Sequence, residues 1–340
     1  MQSVLTDLLN DTWREADRAL WGQRRARILA AFTDLLGEGA PASPPEPEVR
    51  WLGEERQEGL VIRKLSFLVE PDDRVYAYLV LPPGLSAPAP AVLCLHGTTY
   101  DAKDACLGRG QNPAGSNRTA IHLAQRGFVV LAPDHFCAGE RLKPGEKPYD
   151  SGPLYARHPE WSDVGKSVYD HMRCTDLLRT LPEVDGDRIG AIGHSLGGYS
   201  TVFFAAMDGR VRAAVSSCGV TGSWNVDANR ANWSRTQPGR YVHFPKLRHY
   251  WEADRKAPVD FHEIIALMAP RAFLNISAVG NDPCFQVFAP FSELYYQVES
   301  VYKLLGAEGK FAVHFHSCGH SFTQSARALA YTWLEEQLLG

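Results

Sequence analysis

Apolar residues recur at helical spacing near the start of the chain: Leu5, Leu8, Leu9, Trp13, Ala16 and Leu20, then Ile28, Phe32, Leu35 and Leu36. Gly37 is placed to stop the last turn. This predicts a helical arm over residues 4–36, whose one-sided apolar face needs something to cover. The prolines of 41–47 then form a stiff linker. Residues 60–69 and 75–81 flank the turn Pro71-Asp72-Asp73-Arg74 and read as an antiparallel hairpin. Beyond the hairpin the pattern changes to short buried-type runs at 91–95, 128–132, 188–192, 211–216, 271–277 and 310–315, separated by helical stretches. That alternation predicts a mostly parallel sheet with helices on both faces, a three-layer α/β fold.

In such a sheet, ligands gather at the carboxyl ends of the strands, so the loops after each strand carry the chemistry. The first of these loops holds His96-Gly97-Thr98-Thr99, and the second holds Pro133-Asp134-His135 and runs long, to about residue 162. A further insertion lies between Cys218 and Phe261. The expected organisation is an arm and linker over 1–47, a catalytic domain over 48–340, and a cap inserted at 220–260.

Composition narrows the setting. An apolar fraction of 45% with 22% charged residues describes an ordinary globular chain with material for a core. A net charge of −4 and an isoelectric point near 6.3 give no basic face for nucleic acid. The first ten residues lack a basic leader followed by an apolar core, and no run of about 18 apolar residues occurs. A cytoplasmic protein with no membrane partner is expected. Seven cysteines without a Cys-x-x-Cys pair read as reduced thiols, and the Asn-x-Ser/Thr matches at Asn117 and Asn232 read as chance.

The sharpest local signal is Gly193-His194-Ser195-Leu196-Gly197, between the apolar run at 188–192 and a helical stretch at 199–207. A serine at the tip of a tight strand-to-helix turn sits in a strained backbone region, with neighbours two positions away too crowded for a side chain. The turn lifts the hydroxyl out of the sheet and points helix N-terminal amides at the space beside it. Leu196 is one expected oxyanion donor. Thr98, in the loop after the first parallel strand, is expected to be the other, with Thr99 behind it.

A serine needs a histidine to take its proton and a carboxylate to orient that histidine. Chain order in such elbow folds is serine, acid, histidine. His320 follows the last strand in the loop Gly319-His320-Ser321 and precedes an amphipathic terminal helix. His314 and His316 fall within that strand and read as sheet residues. Asp282 follows the strand at 271–277 in a turn-rich loop, whereas Asp260, Glu263 and Glu293 fall in or beside helices. The expected triad is Ser195, Asp282 and His320. His314, His316, Cys318 and His320 are dense enough to raise zinc, but no second ligand pair recurs, so no metal is expected. No phosphate-binding glycine run is present, so no cofactor is expected either.

The stretch 220–260 supplies candidates for substrate recognition. Trp224, Trp233 and Tyr241 can stack on a sugar ring or enclose an acyl group, and Arg230 can fork onto a carboxylate. The same aromatics can instead pack the insertion onto the core.

These residues resemble the α/β-hydrolase superfamily over most of the chain from about Leu60. His96-Gly97-Thr98, Pro133-Asp134 with Gly139-Glu140-Arg141, the elbow, Ala266-Leu267-Met268-Ala269-Pro270-Arg271, and Gly319-His320-Ser321-Phe322 look like its dienelactone hydrolase-like and acetyl xylan esterase-like branch. The resemblance implies hydrolysis of a small carboxylic ester, or a short acetylated oligosaccharide, through an acyl-enzyme on Ser195. Peptide or amide cleavage of the prolyl-oligopeptidase kind and lactone hydrolysis use the same triad. A non-catalytic binding protein would normally have lost a triad member, and none is missing. The oligomeric state is not legible.

Overall fold

The computed structural model describes residues 15–111, 117–220, 223–225, 233, 241–284 and 291–340. The chain opens with α1 (Glu15–Leu36) and a hairpin-like trio β1 (Arg50–Gln57), β2 (Leu60–Glu70) and β3 (Asp73–Leu81). Then come β4 (Ala89–Leu95), α2 (Asp104–Leu107), α3 (Thr119–Ala124), β5 (Val129–Pro133), α4 (Gly152–Arg157), α5 (Asp163–Thr180) and β6 (Val184–His194). The second half runs α6 (Leu196–Met207), β7 (Val211–Ser217), α7 (Pro245–Glu252), α8 (Phe261–Ala266), β8 (Ala272–Ala278), α9 (Phe291–Leu304), β9 (Phe311–His316) and α10 (Gln324–Leu338).

The strands form one nine-stranded sheet in the order β1-β2-β3-β5-β4-β6-β7-β8-β9. β1, β2, β3 and β5 pair antiparallel in succession, and every pair from β5 to β9 is parallel. This is the three-layer α/β architecture the pattern predicts, with one strand more. β1 is an edge strand whose residues are nearly all exposed, so it carries no apolar alternation to read.

Alternate positions along each strand feed opposite faces. On β4, Ala91, Leu93 and Leu95 join one core with α1, α5, α6 and α8, while Val92 and Cys94 join the other with α3 and α10. α1 is part of the larger core: Trp21, Ile28, Phe32, Leu35 and Leu36 are buried, and the Phe32 ring lies 5.6 Å from Phe203 and 6.3 Å from Phe244. Each such buried side chain contributes roughly 1.5–3 kcal/mol. The stretch Val4–Arg14 of the expected arm lies outside the described residues.

Two buried ion-pair clusters fix the loops at the carboxyl edge. Lys103 Nζ lies 2.6 Å from Asp134 Oδ2 and 2.6 Å from Glu140 Oε2, tying the loop before α2 to the loop after β5. Arg141 bridges Asp170 at 2.8 Å and Asp73 at 2.5 Å, and Lys166 reaches Asp170, Asp73 and Glu70. These ties join the β2–β3 hairpin, the β5 loop and α5. Burial opposes charge on Lys166, yet the Asp170, Asp73 and Glu70 carboxylates hold its pKa above the usual value.

Candidate active site

β6 ends in the elbow. Ser195 sits at φ 59°, ψ −118°, a region unfavourable to side-chain-bearing residues, and its N–H donates to the Ser217 carbonyl on β7 at 2.8 Å. The turn closes only because its flanks are glycine. A Cβ on Gly193 would lie 2.2 Å from the Gly197 carbonyl oxygen, and one on Gly197 would lie 2.1 Å from the Leu95 carbonyl oxygen. Leu196 is the first residue of α6, where an N–H has no partner inside the helix.

The structure brings Ser195, Asp282 and His320 together although they lie on three separate loops. His320 Nε2 is 2.7 Å from Ser195 Oγ, and His320 Nδ1 is 2.8 Å from Asp282 Oδ2. The buried Asp282 carboxylate also accepts from the Cys284 N–H at 2.8 Å through Oδ1. The loop holding Asp282 is pinned to the His320 loop, because Asn281 Nδ2 donates to the Ser317 carbonyl and Asn281 Oδ1 accepts from the Gly319 N–H. Burial works against a charged His320 ring, but Asp282 and the Cys218 sulfur beside it push its pKa up to about 9.

The loop after β4 is braced from below by histidines. The His135 N–H donates to His96 Nε2 at 3.2 Å, and His96 Nδ1 therefore donates to the Gly97 carbonyl at 2.8 Å. His135 Nε2 donates to the His96 carbonyl at 3.1 Å. Burial pushes His96 down to about 4, which keeps this tautomer neutral. Tyr149 clasps Thr99, accepting from its N–H at 2.9 Å and donating to its carbonyl at 2.6 Å. Thr98 Oγ1 lies 3.2 Å from the Tyr241 hydroxyl. Thr98 and Thr99 thus face Ser195 across a cavity of about 230 Å³ that also involves Asp101, Asn117, His194 and Phe322. His194 is pushed down to about 3, by burial first and then by the neighbouring His320. It meets Ser217 Oγ at 3.0 Å and stacks on Phe322.

The insertion residues divide. Tyr241 reaches the loop after β4, and Arg230 lies outside the described residues. Trp224 and Trp233 do not reach the cavity: they are 0% and 1% exposed, packed among Phe203, Phe244 and Phe261. The Trp224 indole donates to the Val259 carbonyl at 2.7 Å. Correcting their assignment as substrate contacts, both are core residues, since indoles this size gain more from burial than from an open pocket wall. Glu263 serves the capping box of α8 with Asp260, far from any role on His320. The sequence reading missed His135, Tyr149, His194 and Cys218 as neighbours of the site. His135 and Cys218 had a usable signal, a place just after β5 and β7 on the carboxyl edge, and His194 had its place in the elbow.

No described helix is long and apolar enough to cross a membrane. The sequence model of the Abhydrolase family matches residues 16–317. A Bacillus subtilis (strain 168) protein named "Putative hydrolase YtaP" is 29% identical over 316 residues, spanning 92% of this chain and 100% of its own. Among solved structures, a glucuronoyl esterase from Solibacter usitatus superposes with a TM-score of 0.73 at 18% identity, covering 94% of this chain and 93% of its own. A "putative acetyl xylan esterase" from Bacteroides fragilis NCTC 9343 superposes with a TM-score of 0.64 at 21% identity, covering 92% and 81%. At these identities the two structures share the fold with this chain.

Proposed function

The chain belongs to the Abhydrolase family; on that premise we propose that it is a carboxylic ester hydrolase that cleaves short-acyl esters, sugar acetates among them, through an acyl-enzyme on Ser195. The observation that carries this reading is the unbroken run from Ser195 Oγ to His320 at 2.7 Å and on to Asp282 at 2.8 Å. Ser195 Oγ attacks the acyl carbon as its proton passes to His320 Nε2. Asp282 holds Nδ1–H and steadies the imidazolium that forms. The carbonyl oxygen gains negative charge between the Leu196 and Thr98 amides, and donors aimed at that charge lower the barrier. His320 then protonates the departing alcohol, and the reverse relay through water frees the acid.

The cavity of about 230 Å³ lies below the roughly 300–1,000 Å³ of drug-sized ligand sites. A short acyl group or a single sugar unit suits it. We read 48–340 as the catalytic unit, 1–47 as an arm and linker whose α1 packs into its core, and 220–260 as an insertion whose Tyr241 edge borders the site. The test is a panel of nitrophenyl acyl esters, sugar acetates, lactones and aminoacyl amides, run with the parent and with Ser195→Ala. Acetyl and other short esters should turn over fastest, and Ser195→Ala should lose on the order of 10⁶ in turnover. Preferential amide cleavage would replace the ester assignment. Undiminished esterase activity in folded Ser195→Ala would remove the acyl-enzyme.

A further inference from the structure

Among the described residues, two groups of potential metal ligands converge. Glu70, Asp73 and Asp170 already surround Lys166 and Arg141, so their charge is met by the chain itself. The second group is different. The Cys218 sulfur, an Asp282 carboxylate oxygen and a His320 ring nitrogen lie within 4.8 Å of one another, on loops that leave β7, β8 and β9 side by side. Thiolate, imidazole and carboxylate form a donor set for zinc, with bonds of about 2.0–2.3 Å. Tetrahedral zinc with those bonds sets its ligand atoms about 3.3–3.8 Å apart, so the Asp282–His320 pair, now 2.8 Å apart, opens by about 0.5 Å while Cys218, within 4.8 Å of both, closes by about 1 Å.

The backbone around Cys218 is specific. It stands directly after β7 at φ 47°, an uncommon conformation for a non-glycine residue, and its N–H donates to the Ile276 carbonyl of β8 at 2.8 Å. Its buried thiol faces the His320 loop, donating to the Ser321 carbonyl at 3.9 Å. Nothing in ester hydrolysis calls for a thiol there.

We propose that Cys218, Asp282 and His320 form an inhibitory zinc site within the triad, the fourth position being left to water. The imidazole atom facing Asp282 is Nδ1. When zinc takes the Nδ1 lone pair, the one proton of the neutral ring resides on Nε2, the atom that must accept the Ser195 proton. The Cys218 thiol and the His320 Nδ1–H each lose their proton to solvent on coordination, Asp282 binds as the carboxylate it already is, and nothing is oxidised or reduced. Zinc therefore blocks the base by keeping a proton on the atom that must receive the one from Ser195.

The inhibition half of this inference rests on the triad proposed above, so the test has a second readout that does not. Zinc sulfate is titrated into the parent, Cys218→Ser, Cys218→Ala, Cys284→Ser and Cys318→Ser, each compared with its own zinc-free rate on nitrophenyl acetate. Binding to the same proteins is followed separately by competition with a chromophoric zinc chelator. The parent should be inhibited reversibly, with EDTA restoring activity, and one equivalent of zinc should bind. Both Cys218 variants should need at least about tenfold more zinc for either effect. Cys284→Ser and Cys318→Ser should behave as the parent. Unchanged binding in both Cys218 variants, or sensitivity lost only in Cys318→Ser, would overturn the site. Zinc bound through Cys218 without inhibition would keep the site and instead remove His320 from the base role.

Discussion

His320 can act as a base only when its ring is neutral, so the acid limb of the pH profile reads what holds the ring charged, the Asp282 carboxylate first and the Cys218 sulfur beside it. With the ring's pKa at about 9, roughly 1% of the enzyme carries a neutral His320 at pH 7. kcat/KM should therefore rise about tenfold per pH unit between 7 and 9 and level off above, a gain of nearly a hundredfold. Asp282→Asn removes the carboxylate but keeps the burial that disfavours charge, so the pKa falls well below that of the parent. Its amide also favours the tautomer with the proton on Nε2, a loss of about 10⁴ in turnover at full deprotonation. At pH 9 and above the variant should trail the parent by about 10⁴; at pH 7, where only about 1% of the parent is competent, the gap should narrow to about 10². The assay is nitrophenyl acetate hydrolysis from pH 6 to 10, with Ser195→Ala as the background for alkaline hydrolysis. The sign of the linked stability follows: a pKa raised on folding adds stability that is complete below about 6.5 and lost as pH rises through about 9. The parent's Tm should thus fall across that window more than the variant's. A parent limb at pH 7 or below, unmoved in Asp282→Asn, would refute the reasoning.

Gly193→Ala places a Cβ 2.2 Å from the Gly197 carbonyl oxygen, so the elbow must open; thermal melts should show destabilisation upwards of about 3 kcal/mol or loss of soluble protein. Lys166→Met takes the ammonium partner from buried Glu70 and leaves Asp73 and Asp170 to Arg141 alone, and urea titration should report a loss of about 3–5 kcal/mol. Tyr241→Phe removes the hydroxyl beside Thr98 Oγ1, so kcat/KM should drop about two- to tenfold with Tm little changed. A larger fall in Tyr241→Phe would mean that Tyr241 holds substrate as well as the loop.

The elements that could be read from the chain alone are those whose cause is local. The elbow is one: Gly193 and Gly197 are demanded by backbone atoms of the turn and of β4, and the requirement leaves a five-residue signature. The buried strands are another, since burial on both faces makes them continuous apolar runs, and their alternation with helices implies the parallel sheet. Ser195 and His320 were legible because each follows a strand at the edge where ligands collect, and Asp282 by the same rule. β1 was not, because an exposed edge strand is held by ladder hydrogen bonds that any sequence can make. Trp224 and Trp233 looked the same in sequence whether lining a pocket or filling a core; only the positions of Phe203, Phe244 and Phe261, from other parts of the chain, made them core. His135 beneath His96, Tyr149 around Thr99, and Cys218 against Ser321 of the His320 loop depend on contacts spanning 39, 50 and 103 positions of sequence. A contact of that range leaves no periodicity and no spacing to read. It exists once the sheet order sets β5 beside β4 and β7 beside β8, and that order was decided by packing the whole chain.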